Sequence, residues 1–286
     1  MVFSLIDVLI DAALITLILM LAASGLAVIF GLIGVINMGH GAMMTLGAYF
    51  TWATTSLGVP FPLAVIIAAL GVGLVGLVLE HFLIRHFYDR PFETLLLTWG
   101  FFLVATEVIK IVFGTEFRNV PNPLPSTINI GPFELPTYRA LVALLSLMLM
   151  VGVGYLYKQT SLGLRVRALI QNREVSSLLG LDVSKLYKQV FVFGAFLAGL
   201  AGALISPMLS VDPYIGNVYL VRSFFVVTLG GLGQLVQGTL VGSFVIGGSE
   251  TLFALATSQV FAQTIVFVLA VVLLRFFPRG ILSSRS

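Results

Sequence analysis

Cysteine is absent from the 286 residues, and charge is scarce: 12 acidic and 15 basic side chains make up 9% of the chain. Without cysteine there is no disulfide framework and no thiolate metal site. A soluble domain of average composition is about 25% charged. This chain is 59% hydrophobic with a mean hydropathy of +1.10, so it has too little polar surface to face water all round. Lipid removes that need. Histidine is also rare: His40, His81 and His86 have no partner at ligand spacing, and no metal is expected. No Ser/His/Asp set and no pair of carboxylates in one segment appears, so no catalytic residues and no cofactor are expected. The net charge of +3 does not point to nucleic acid, because the basic residues sit between apolar runs.

What is present is a series of long apolar runs. A spanning helix needs about 20 mostly apolar residues. Residues 12–39 carry no charge, and neither do 41–79, which TSLGVPFP (Thr55 to Pro62) divides. Further runs lie at 94–113, 140–157, 189–211, 223–249 and 251–274. The first run lacks a basic flank and a cleavage site, so it reads as a retained span rather than a signal peptide. The 223–249 run is rich in glycine and suits a broken helix or a short hairpin. The expectation is an all-α integral membrane protein, one domain over 1–286, with eight or nine crossings and broken or re-entrant Gly-rich segments.

Three segments hold 11 of the 15 basic residues. They are Arg85 and Arg90; Lys158, Arg165, Arg167, Arg173, Lys185 and Lys188; and Arg275, Arg279 and Arg285. Cytoplasmic loops carry such an excess. This places those segments and the C-terminus inside, with the N-terminus and the segments 114–139 and 209–222 outside. Segment 158–188 is long, polar and helical in part, with Gly180 as its expected C-cap. It suits either an interfacial helix on the lipid headgroups or a docking helix for a cytoplasmic partner.

Polar groups at membrane depth usually face the bundle or a cavity. Asn37 and His40, set among Gly34, Gly39, Gly41 and Gly47, suggest a broken helix beside a polar path, although an interhelical hydrogen bond is the favoured reading for His40. Thr45, Thr94, Thr98 and Trp99 are further candidates to line the path, and Glu93 suits a helix N-terminus. Gly230 to Gly238 (GGLGQLVQG) lacks the Gly-Lys-Ser/Thr ending of a phosphate loop. Its Gln234 and Gln237 read as pathway-facing amides, and Glu250 as a membrane-boundary carboxylate. The Gly-rich segments 31–50 and 230–248 hint at transporter-style repeats.

Taken together, GLIGVINMGHGAMMTLGAY (Gly31 to Tyr49), SLGLRVRALIQNREVSSLLGLDVSKLYKQVFVFGAFLAGLAGAL (Ser161 to Leu204), VVTLGGLGQLVQGTLVGSFVIG (Val226 to Gly247) and FPRGIL (Phe277 to Leu282) resemble the permeases of branched-chain amino acid ABC importers. The resemblance implies that the docking alternative holds for 158–188, with a coupling helix that includes Arg167, Ala168, Gln171, Asn172, Glu174, Leu178, Leu179 and Gly180. It implies a second, homologous permease in a heterodimer, two cytoplasmic ATP-binding subunits, an extracytoplasmic binding protein, and a place in the bacterial inner membrane among lipid. ATP hydrolysis on the partners would drive alternating access, and this chain would not be an enzyme. Within the family, RPFETLLLTWG (Arg90 to Gly100), IQNRE (Ile170 to Glu174) and GGLGQL (Gly230 to Leu235) look like the urea-type permease, so urea or a small amide is the expected substrate, with a branched-chain amino acid as the alternative and a passive channel as a third reading. Ala42 stands where the family usually has Glu, Gly39 replaces the usual Ala, and Asp212 to Gly216 looks more like the amino acid branch.

Overall fold

In the computed structural model of the chain, residues 2–130, 133–231 and 233–282 are described, with the backbone alone for 2–6, 130 and 133. Leu232 and Arg285, used above, lie outside the described residues. The fold is helical: α1 (Val2–Ile33), α2 (His40–Ser56), α3 (Phe61–Phe82), α4 (Pro91–Phe113), α5 (Thr137–Gln159), α6 (Ser161–Gln171), α7 (Arg173–Leu178), α8 (Val183–Ile205), α9 (Ile215–Gly230), α10 (Leu235–Ser243), α11 (Ser249–Ala254) and α12 (Gln259–Phe276). A small antiparallel hairpin, β1 (Thr127–Ile130) and β2 (Phe133–Pro136), precedes α5.

The expected count of eight or nine crossings is corrected to six helices long and apolar enough to cross a membrane among the described residues: α1, α3, α4, α5, α8 and α12. The other apolar runs are cut short by their own sequence. Helix α2 starts only after the Gly34–Gly39 break and stops at Ser56, one residue before Leu57-Gly58 turns the chain. The 223–249 run turns at Gly231 to Gln234, where Gly231 (φ 101°) and Gly233 (φ 85°) have left-handed backbones. Past this turn α10 joins α11 through a π-helical stretch, Phe244–Gly248. Such wide turns often occur at functional sites.

Helix α8 is central. Seven of its 13 buried residues are small, and all seven lie between 194 and 203: Gly194, Ala195, Ala198, Gly199, Ala201, Gly202 and Ala203. A Cβ on Gly202 would strike the Met44 backbone of α2, and one on Gly47 would strike the Gly199 backbone. A Cβ on Gly25 of α1 would meet the Gly194 carbonyl, and one on Gly76 of α3 would meet Ala195. Lipid tails are as apolar as leucine, so helices in a membrane gain little by hiding apolar surface from each other. They associate by close van der Waals packing, which small residues allow. Larger apolar side chains instead cover the outer faces: Leu63, Ile66, Leu70 and Leu74 on α3, and Leu96, Leu103, Val104 and Ile111 on α4, are exposed.

Helix α5 connects the two ends of the bundle. It begins at the hairpin and leads through Thr160 into the polar segment that holds α6 and α7. At about 1.5 Å per residue its length matches the hydrocarbon core.

Gly202→Ala should lower stability by about 1–3 kcal/mol through overpacking against the Met44 backbone. Gly152→Ala, on an open face of α5, should instead gain about 0.5–1 kcal/mol from helix propensity. Thermal unfolding of the purified protein in detergent would check both; equal melting temperatures for the two variants would contradict the packing account.

Candidate functional site

Five of the pathway candidates gather at the break between α1 and α2. Helix α1 ends at Gly34, whose left-handed backbone (φ 69°) turns the chain out of the helix while its N–H still donates to Phe30 O at 3.1 Å. Residues 35–39 then run without helical hydrogen bonds, so their backbone groups need other partners. Asn37 Oδ1 accepts the Gly39 N–H at 3.0 Å. Thr98 on α4 accepts the Met38 N–H at 3.0 Å. The single hydroxyl proton of Thr98 has three carbonyls in reach: Thr94 at 2.9 Å, Leu95 at 3.0 Å and Ile36 at 3.2 Å. The fully buried His40 ring joins α2 to α1 through Nε2 and the Ala22 carbonyl, 2.8 Å apart. A carbonyl can only accept, so Nε2 carries the proton. Thr45 accepts the Gly216 N–H at 3.1 Å, which binds α2 to the start of α9. The Thr94 hydroxyl donates to Pro91 O at 2.8 Å. The structure gives these buried side chains the work of satisfying backbone across α1, α2, α4 and α9.

The remaining three candidates lie elsewhere. Trp99, expected in the interior, is 45% exposed and packs beside Phe102 on the outer side of α4. The helix period explains this: Thr94, Thr98 and Phe102 take the inward face, which turns the residue after Thr98 outward. Gln234 is half-buried at the N-terminus of α10, and Gln237 is exposed one turn later.

A larger polar feature lies at the hairpin end. It is a cavity of about 640 Å³, lined by residues of α1, α5, α9, α11 and α12 and by the Pro207–Leu209 turn. Two ion pairs stand in it. Asp11 and Arg139, 3.4 Å apart, are 52% and 32% exposed. Arg222 and Glu250, 2.8 Å apart, are only 16% and 6% exposed. Gln259 also donates to Glu250 Oε1, at 3.1 Å. Glu250, expected as a lone boundary carboxylate, is therefore paired and buried. None of the eight pathway candidates lines this cavity. The usable signal was one Arg and one Glu at the two ends of the 223–249 run; their pairing across 28 positions had no local marker in the sequence.

At the opposite end, the helical part of segment 158–188 that precedes Gly180 is two helices, α6 and α7, broken at Asn172. The reason is local: Asn172 is extended (φ −157°, ψ 105°), and its side chain caps α7 by accepting the Val175 N–H at 3.0 Å. Thr160 caps α6 in the same way through the Gly163 N–H. The Arg167 guanidinium donates to the Tyr157 carbonyl and lies over the Tyr157 ring. Ala168 is half-buried, whereas Gln171 and Glu174 are exposed. Leu178 and Leu179 are 87% and 77% exposed, an apolar tip beside the Gly180 turn (φ 83°). Arg173 pairs with Asp89, in the connection that leads into α4. Beside it, Tyr88 donates to the buried Glu80 at 2.9 Å. Burial and then this hydrogen bond push the Tyr88 hydroxyl well above its usual range, so it stays a donor.

A helical membrane protein with a broken first hairpin, a charged cavity at one end and an amphipathic segment at the other has the layout of a transporter subunit. The family model for branched-chain amino acid transport system permease components matches residues 8–275, and the chain belongs to that family. Similar proteins include the high-affinity branched-chain amino acid transport system permease proteins LivH of Salmonella typhimurium and BraD of Pseudomonas aeruginosa, each 23% identical over 92% of this chain and 90% of its own. The ribose import permease protein RbsC of Haemophilus influenzae is 26% identical over 76% of this chain and 68% of its own. No solved structure matches the chain. As the permease component of an ABC importer in the inner membrane, the chain works with separate ATP-binding subunits, which hydrolyse the ATP, and with a substrate-binding protein.

Thr98→Val should leave the Met38 N–H without its acceptor and cost about 1–3 kcal/mol. Thr98→Ser keeps the hydroxyl and should cost much less. Melting temperatures in detergent would separate them; equal losses would mean that Thr98 acts by packing alone.

Proposed function

We propose that the chain forms half of the translocation pathway of a branched-chain amino acid importer. In this reading it is one membrane domain over 1–286, and its segment 158–188 transmits the ATPase cycle. The observation that carries the substrate is the cavity with buried charges of both signs, Arg222 and Glu250. Scarce intramembrane charge favours a neutral molecule such as urea, but a buried cation beside a buried anion suits a zwitterion. The relatives named for branched-chain amino acids support the same choice. Urea remains the second reading, favoured by the stretches Arg90 to Gly100 and Ile170 to Glu174.

The pathway would open toward the binding protein at the cavity end and toward the cytoplasm at the α6–α7 end. The excess of basic side chains on the α6–α7 side supports that orientation, with the N-terminus outside. A homologous permease would cover one of the exposed outer faces, forming a heterodimer, and lipid the others. The apolar tip Leu178-Leu179, with Glu174 and Gly180, would sit in a groove of the ATP-binding subunit. A tip so exposed in water is a surface that a partner is expected to cover.

In proteoliposomes that hold the assembled importer and its binding protein, labelled leucine should accumulate only with ATP, and excess urea should not compete. Urea accumulation that leucine does not affect would replace the substrate reading. Leu178→Asp, Glu174→Lys and Gly180→Val should each reduce ATP-driven uptake about tenfold or more, equivalent to about 1.4 kcal/mol of lost docking. Uptake at the parent rate in all three would refute the coupling role.

A further inference from the structure

We infer that Arg222, Glu250 and Gln259 form a recognition site for the charged ends of a free α-amino acid. The inference rests on the import reading above and names the atoms that would hold the substrate. Both donors to Glu250 fall on one oxygen: Arg222 Nη2 at 2.8 Å and Gln259 Nε2 at 3.1 Å both reach Oε1. Oε2 receives no hydrogen bond from a described residue. Arg222 lines the cavity, and its Nη1 donates to no described residue. A guanidinium has five N–H donors and a carboxylate about four acceptor sites, so most of the capacity of this pair is unused. An ion pair kept only to fasten helices would be expected to fill that capacity, because buried charge is stable only when its hydrogen bonds are complete. Here a surplus donor and a surplus acceptor stand side by side in one cavity. An ammonium group beside Glu250 and a carboxylate beside Arg222 would complete both.

The cavity is large enough for such a guest, since small-molecule sites run from about 300 to 1,000 Å³. Its α1 wall is aliphatic, made by Ile15, Ile18 and Leu19. A branched apolar side chain could lie there while the charged ends reach α9 and α11. The π-helical stretch Phe244–Gly248 ends just before Glu250, and the extra residue in that turn sets the direction in which the carboxylate points. The more exposed pair Asp11–Arg139 offers the same two charges nearer to solvent. Urea would use neither charge.

The absence of cysteine makes the test direct. Ala254→Cys places one thiol on the cavity wall, and its reaction with a small charged thiol reagent can be followed in the assembled importer in proteoliposomes. Leucine at ten times its dissociation constant should slow labelling about tenfold by occupancy. Leucinamide, which lacks the carboxylate, and 2-hydroxy-4-methylpentanoate, which lacks the ammonium, should protect weakly or not at all. Arg222→Gln and Glu250→Gln should abolish protection, while labelling of the thiol in the absence of leucine reports that the cavity persists. Gln259→Leu is the milder variant and should weaken protection where either charge variant fails to assemble. Full protection in the exchange Arg222→Glu with Glu250→Arg would overturn the inference, because only a structural pair survives that exchange. ATP-driven leucine uptake without any protection in the parent chain would overturn the site and leave the import reading intact. Urea uptake in place of leucine uptake would overturn both.

Discussion

The approach of α8 to α1, α2 and α3 at backbone distance is the contact on which the other parts depend. In lipid, where apolar burial between helices gives little, the gain comes from how closely the backbones can meet. Gly194, Gly199 and Gly202 on α8, with Gly25, Gly47 and Gly76 opposite, set that distance. Helix α8 starts just after the α6–α7 segment and ends at the turn that lines the charged cavity. One tightly held helix therefore connects the two ends at which function is proposed.

A second constraint is that every backbone group at membrane depth must find a partner inside the protein. The Gly34–Gly39 break would be costly without Asn37 and Thr98. These two side chains turn an interrupted helix into a fixed corner, and His40 and Thr45 carry that corner to α1 and α9. Polarity in the first hairpin thus satisfies backbone groups across four helices. The buried ion pair lies at the other end, on helices far apart in the chain.

The helical membrane character and the amphipathic segment were legible from apolar runs and from the placement of arginine and lysine. The glycine-rich breaks were legible as breaks, because glycine and asparagine interrupt the helical pattern locally. The number of full-length crossings was not, since hydropathy sums over the Gly231 to Gln234 turn and cannot tell a long helix from two short ones. The cavity was not legible either. Arg222 and Glu250 belong to different helices, and only the return of the chain past Gly231 brings them to 2.8 Å. The depth of Trp99 was legible in the sequence, while its side of the helix depends on how α4 leans on α2.

The two contacts beside Asp89 differ in a way that matters mechanically. The Glu80–Tyr88 hydrogen bond ends on a fully buried carboxylate and holds the elbow between α3 and α4 in one shape. The Arg173–Asp89 pair lies in solvent, where such a pair is worth about 0–1 kcal/mol. The elbow is thus stiff, and its link to α7 is a light catch that can open and close at little cost. Helix α8 is tied to the same elbow more firmly, by Tyr187 packed 4.4 Å from Tyr88 and by Lys188 within 3.9 Å of Glu80, so α7 can shift against the elbow at little cost while α8 stays with it.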